Sequence, residues 1–175
     1  MVALFTLGNS SNSFLLLKAK ATGFDDTSVI LLYFIFNITA ALLSMPLGGL
    51  SDKLGRKKLL VSGYLVFALC YLGFAFSNSR PQMVAAFVLY GAYTAMIAGV
   101  ERAFVAEIAP TNLKGTMLGL HSTATGIALL PASVIAGVLW TQFGAAVPFL
   151  FGAAMSLLAA GILLLFMKDA GPRAA

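Results

Sequence analysis

The residues best placed to do chemistry lie in one short stretch, Gly48-Gly49-Leu50-Ser51-Asp52-Lys53-Leu54-Gly55-Arg56-Lys57-Lys58. It sets a single carboxylate, Asp52, among four cations, and Arg56 can grip a carboxylate through two parallel hydrogen bonds. Gly48 leaves room for another backbone to approach, and Gly55 permits a tight turn. Such a set makes and breaks ion pairs. Membrane topology alone could fill a short loop with Lys and Arg, but it does not require an aspartate with glycines three and four residues away. Bond-breaking chemistry has little to work with. His121 is the only histidine, there is no H-E-x-x-H and no pair of aspartates inside an apolar segment, so neither a metallohydrolase nor a Ser/His/Asp site can be assembled. The single cysteine, Cys70, has no second thiol for a disulfide or a metal site. The chain is therefore expected to be no enzyme and to need no cofactor.

A second group of candidates runs along apolar segments at helical spacing. Thr6, Asn9, Ser10 and Ser13 fall at i, i+3, i+4 and i+7, and Tyr33, Asn37 and Ser44 at i, i+4 and i+11. Tyr90, Tyr93, Thr94 and Glu101 fall at i, i+3, i+4 and i+11, and His121 and Thr125 at i and i+4. Each set makes one helix face. In a bilayer such faces turn toward a bundle interior or a water-filled path. Two readings stay open. Ser and Thr can simply bond neighbouring helices for about 0.6 kcal/mol each, or the faces can line a cavity. Asn9 and Asn37 offer more hydrogen bonds than tight packing usually satisfies, so they are cavity candidates together with Ser13, Tyr33, Tyr90, Thr94 and Thr125. The tyrosines fit equally well as packing aromatics with a hydroxyl handle. Glu101 and His121, the latter a residue type that titrates near neutral pH, are candidates for proton coupling, with a structural or gating role as the alternative for His121. Small residues at four-residue spacing (Gly91, Ala95 and Gly99; Gly115 and Gly119; Gly152, Ser156 and Ala160) predict close helix crossings. Pro131 frees the carbonyl of Ile127 and predicts a kink.

The elements that position these residues follow from composition. The chain has 175 residues, 60% hydrophobic and 10% charged, with a mean hydropathy of +0.96, against about 45–50% apolar and about 25% charged in soluble domains. A water-soluble enzyme is excluded. Apolar runs at 2–17, 28–50, 59–76, 83–105, 117–139 and 145–167 predict six membrane-spanning helices, because each is near the length a bilayer requires and a helix satisfies its own backbone. The runs are too uniformly apolar for barrel strands. The net charge of +5 does not point to nucleic acid, since the 11 Lys and Arg sit at the ends of apolar segments; the partner is the lipid bilayer. Lys53, Arg56, Lys57, Lys58, Arg102, Lys114, Lys168 and Arg173 fall on one side and only Lys18, Lys20 and Arg80 on the other, which places both termini in the cytoplasm. The first segment has no basic leader and too polar a middle for a signal peptide. It covers about 25 Å, short of the roughly 30 Å hydrocarbon core, so the chain is expected to begin inside a helix, with protein preceding it. The connections at 78–82, 110–114 and 141–144 are short, so residues 1–175 are expected to form a single membrane domain. The third and sixth segments, almost free of strongly polar residues in mid-span, are expected to lie against lipid.

At residues 48–58 the chain resembles the major facilitator superfamily, whose signature G-x-L-[SA]-D-[RK]-x-G-R-[RK] is matched at Gly48, Leu50, Ser51, Asp52, Lys53, Gly55, Arg56 and Lys57. The run from Glu101 and Arg102 through Glu107 to Pro110 adds to the resemblance, as does Lys114-Gly115-Thr116. The polar first helix, with Leu7-Gly8-Asn9-Ser10, is similar to the seventh helix of a full transporter. The resemblance implies an all-α membrane protein of six transmembrane helices, the C-terminal half of a twelve-helix fold, built as two inverted three-helix repeats. It also implies that the first, second, fourth and fifth helices line a central cavity. The implied function is secondary active transport of a small solute by alternating access in a bacterial cytoplasmic membrane, as a half that needs a second six-helix half or pairs as a homodimer. The alternative is a non-transporting six-helix scaffold or binding subunit. In the transport reading Gly48, Asp52, Gly55, Arg56, Arg102 and Glu107 form a conformational latch on the cytoplasmic face. Asp52 pairs with Arg102 or meets the positive N-terminus of a neighbouring helix, Arg56 pairs with Glu107, and both contacts favour the outward-open state. A midplane lined by hydroxyls and amides favours neutral, amphipathic or organic substrates over multiply charged ones.

Overall fold

The computed structural model describes residues 2–166, apart from the side chains of Asp52 and Phe166. Among these residues there is no strand. The helices are α1 (Val2–Gly8), α2 (Ser13–Ala21), α3 (Asp26–Leu54), α4 (Arg56–Phe76), α5 (Arg80–Ile97), α6 (Val100–Ile108), α7 (Lys114–Phe143) and α8 (Val147–Phe166), with a 3-10 turn at Thr111–Leu113 leading into α7. Five stretches are long and apolar enough to cross a membrane: Asp26–Ser51, Arg56–Phe76, Arg80–Ile108, Thr111–Phe143 and Val147–Leu165. They overlie the segments expected at 28–50, 59–76, 83–105, 117–139 and 145–167, the last of which ends just outside the described residues. At α3 the carboxylate of Asp25 accepts from Ser28 N at 3.4 Å and Ser28 Oγ at 2.6 Å, capping the first turn. These bonds hold the Asp25 carboxyl below its ordinary range.

The expected first helix, 2–17, is not continuous. Its ladder closes at Asn9, whose N–H reaches the Phe5 and Thr6 carbonyls, and restarts where the Asn12 carbonyl accepts from Leu15 and Leu16. Between them Ser11 Oγ donates to Ser13 Oγ at 3.1 Å and accepts from Ser13 N at 3.3 Å. Five consecutive Ser and Asn side chains from Asn9 to Ser13 compete with the helical ladder for the same backbone groups. The expected fourth helix is likewise divided, into α5 and α6, at Ala98–Gly99.

The third segment, α4, is the most buried of the five spans, while α3 and α7 are the least buried. Aromatics of α4 fill the bundle centre, while its Leu65, Leu69 and Phe76 are exposed. Tyr64, Phe67, Tyr71 and Phe74 are buried with Phe87, Tyr90 and Tyr93 of α5, Phe149 of α8 and Phe5 of α1. Phe67 and Tyr71 stack at 3.9 Å between centroids, and Phe5 and Tyr64 at 4.4 Å. Close crossings occur where small residues permit them. A Cβ at Gly91 would come within 3 Å of the Phe36 carbonyl and Thr39 on α3, and one at Gly152 within 3 Å of the Gly8 carbonyl and the Tyr71 ring. Ser156 is buried and donates to the Tyr64 carbonyl at 2.7 Å. Gly99, Gly115 and Gly119 have open space at their Cβ positions, so among the described residues they mark no crossing. Both α3, through Pro46, and α7, through Pro131, continue as single helices.

Candidate functional site

Two places in the fold gather the expected site residues. The first is the α3–α4 turn. Gly55 takes φ 92° and ψ 136° and is the sole residue between the two helices, a conformation that glycine adopts without the steric cost of a Cβ. The turn delivers Arg56 to α6. Its Nη1 donates to the Ala103 carbonyl at 2.8 Å and to Glu107 Oε2 at 3.2 Å. Both partners of this ion pair are largely buried, at 21% and 17% side-chain exposure, where a charge-assisted bond is stronger than at a wet surface. Arg56 and Glu107 are thus brought together. Arg102, one of the other expected members, is exposed and makes no ion pair among the described residues. Asp52 sits in the last turn of α3, and its expected pairing lies outside what is described. Gly48 admits no close neighbour, since a Cβ there would meet nothing within 4 Å. It borders, with Ser44, Ser51, Arg56 and the α5–α6 junction, a cleft of about 320 Å³.

The second place is a cavity of about 270 Å³ where the two helix breaks face each other. Asn9 and Asn12 from the α1–α2 break and Ala98 and Glu101 from the α5–α6 junction line it, with Phe36 of α3, Tyr90, Tyr93 and Thr94 of α5, and Thr125 of α7. Irregular backbone at membrane depth is tolerated where it borders such a cavity. Of the seven residues expected to line a substrate cavity, Asn9, Tyr90, Thr94 and Thr125 border this space. Ser13, Tyr33 and Asn37 do not and are exposed. Asn37 returns its Nδ2 to the Tyr33 carbonyl at 2.7 Å within its own helix, and the Tyr33 ring leans on Phe36 at 5.3 Å.

Hydrogen bonding separates lining residues that are already satisfied from those that are not. The hydroxyls of Thr6, Thr94 and Thr125 donate to the carbonyls of Val2, Tyr90 and His121 at 3.0, 2.9 and 2.9 Å, one turn back in their own helices. Their protons are taken, which leaves acceptor lone pairs alone for a ligand. Tyr90 donates its hydroxyl to Asn12 Oδ1 at 2.9 Å, pinning the α1–α2 break to α5. Glu101 Oε1 accepts from the Tyr64 hydroxyl at 3.3 Å, and His121 Nε2 lies 3.7 Å from the same oxygen. That is too long for a hydrogen bond, and His121 Nε2 is buried without a partner among the described residues. His121 borders a second, apolar cavity of about 350 Å³ with Phe104, Met117 and Leu120. No Lys or Arg lines the first cavity among the described residues.

Asn12, in the cavity lining, and Tyr64, which reaches Glu101, are positions that spacing did not single out. Asn12 falls off the stripe of Thr6, Asn9 and Ser13 only if the helix is continuous, and the break removes that condition. Tyr64 lies in a segment whose aromatic run reads as packing alone.

An all-helical bundle with several stretches long and apolar enough to cross a membrane defines an integral membrane protein. The profile of the Major Facilitator Superfamily matches residues 1–175, and the chain belongs to that family. It is 39% identical over 171 residues to an uncharacterized MFS-type transporter of Methanocaldococcus jannaschii, covering 94% of this chain and 42% of that protein. It is 30% identical over 136 residues to Multidrug resistance protein 2 of Bacillus subtilis, covering 77% of this chain and 33% of the relative. With the arabinose-proton symporter of Escherichia coli it shares 29% over 85 residues, 49% of this chain and 18% of the symporter. The chain thus spans less than half the length of these relatives.

Proposed function

We propose that the chain is one six-helix half of a secondary transporter that works by alternating access, with α1 and α2 together as the sixth span and residues 1–175 as one membrane domain. The observation that carries this reading is the meeting of two helix breaks at one polar cavity whose flanking spans, α3 and α7, are the least buried of the five. Discontinuous helices at a midplane cavity are the usual way a transporter exposes backbone and side-chain groups to a solute. Exposed Phe34, Leu42 and Met45 on α3 and Ile127, Leu130 and Val134 on α7 would close against a second six-helix half or a second copy of the chain. The distribution of Lys and Arg supports cytoplasmic termini.

In this reading α6 joins the site to the latch. Its first turn carries Glu101 into the cavity, and its far end presents the Ala103 carbonyl and Glu107 to Arg56. Glu101 and His121 take the coupled proton. The other ionisable groups around them are Tyr64 from α4, Tyr93 from α5 and Arg102 beside Glu101 on α6. A change of charge at Glu101 shifts α6 and with it the Arg56 contacts, and Asp52 holds the same end of the bundle in one state.

Reconstituted vesicles test the proposal. The expected outcome is solute-dependent proton movement, followed with an internal pH dye, that is lost in Asp52→Asn at normal expression. Unchanged transport in Asp52→Asn would remove the latch. No movement of any solute under any imposed gradient would favour a scaffold or binding subunit, which has no use for a switch loop and a cavity at two helix breaks.

A further inference from the structure

We infer that the cavity at the two helix breaks binds a singly charged organic cation with a flat apolar body, with Glu101 as its counter-charge. The inference rests on reading that cavity as the solute site. Glu101 is the one carboxylate in the lining, and no cation lines the cavity with it among the described residues. Its side chain is 17% exposed, and a carboxylate taken so far from water needs short donors or a counter-charge. It has neither. The Tyr64 hydroxyl reaches it only at 3.3 Å, well beyond the roughly 2.5–2.7 Å of a strong bond from a hydroxyl to a carboxylate. His121 Nε2 stops at 3.7 Å. A bound cation would supply what the protein leaves out.

The wall opposite fits the rest of such a ligand. Phe36, Tyr90, Tyr93 and Phe5 form a continuous aromatic surface, with centroids 5.2 Å apart for Phe36 and Tyr90, 5.3 Å for Tyr90 and Tyr93, and 6.2 Å for Phe5 and Tyr93. Ring faces attract cations and stack on flat apolar groups. An anion would meet Glu101 with no Lys or Arg in the lining to offset it, and the threonine hydroxyls, whose protons go to their own helices, offer a solute acceptors only. At about 30 Å³ per water in the liquid, the 270 Å³ of the cavity admits a ligand the size of a single substituted ring.

The test uses the whole chain in lipid nanodiscs and three probes of one size: benzyltrimethylammonium, its neutral carbon isostere 2,2-dimethylpropylbenzene, and benzenesulfonate. Binding is measured by titration calorimetry and corrected against empty nanodiscs. The cation is expected to bind about tenfold or more tightly than the neutral isostere, and the anion not to bind. Glu101→Gln should erase the preference, and Glu101→Asp, which keeps the charge, should retain it. Equal binding of cation and isostere, a preference that survives Glu101→Gln, or no binding of the cation would overturn the inference. The outcome separates from that of the transport proposal. A cation preference without any transport would leave this inference standing alone, while transport of a solute that is indifferent to Glu101→Gln would do the reverse.

Discussion

The α3–α4 turn and the central cavity are built on opposite terms. At the turn, a backbone conformation and a charge pair are fixed by residues adjacent in sequence, Gly55 and Arg56, reaching two acceptors on a single short helix. The cavity draws Asn12, Tyr90, Glu101 and Thr125 from four separate helices or breaks, and its one tight cross-link is a neutral hydrogen bond from Tyr90 to Asn12. A charge pair and a backbone conformation that glycine alone takes freely define the first region. The second region has bonds that are individually weak and one carboxylate poorly matched by the protein, as suits a site that must accept and release a ligand. Substitutions at the turn should therefore act on stability and state, and substitutions in the cavity on binding.

The contrast breaks most sharply at two glycines in the same stretch. Gly55 at φ 92° has no crowding around its Cβ position, so Gly55→Val tests conformation alone. It should cost about 2–3 kcal/mol and lower the unfolding temperature in detergent. Gly48, within α3 and equally uncrowded, should tolerate Ala at no cost or with a gain of up to about 1 kcal/mol, the helix propensity difference. A similar loss at both positions would mean that an approaching element, and not the turn, dictates the glycines.

The next effect belongs to the ion pair. Arg56→Gln removes a charged donor from the Ala103 carbonyl and from Glu107, and should cost about 1.5–3 kcal/mol. Glu107→Gln leaves Arg56 bound to the carbonyl and should cost less. In a double-mutant cycle the two should couple by about 0.5–1 kcal/mol; additive losses would show that Glu107 adds nothing to the hold on Arg56.

How much of this was legible follows the same division. Gly55 and the Arg56–Glu107 contact could be read from residue types, because a one-residue turn and a complementary charge near the end of the next polar stretch need no knowledge of the packing. The five long spans were equally plain from apolar runs. What the spacing missed came from tertiary context. A stripe drawn on a continuous helix placed Ser13 in the cavity and Asn12 outside it, and the break at Asn9–Asn12 reversed them. Tyr33 and Asn37 share a face with each other, but α3 turns that face out of the bundle. The central position of α4 was hidden because large aromatics read the same whether they meet lipid or other rings.

The smallest effects discriminate within the cavity. Tyr90→Phe deletes the hydroxyl that reaches Asn12 at 2.9 Å and leaves the amide oxygen of a broken helix without that donor. The expected cost is about 0.6–1 kcal/mol, accompanied by faster hydrogen exchange at residues 9–12, where the ladder is already interrupted. Thr94→Val and Thr125→Val delete hydroxyls bonded within their own helices, and should change stability by less than about 0.5 kcal/mol and ligand binding not at all. If Thr94→Val weakened binding more than Tyr90→Phe, the hydroxyls would meet the ligand themselves, and the cavity would be a polar site in place of an aromatic one with a single charge.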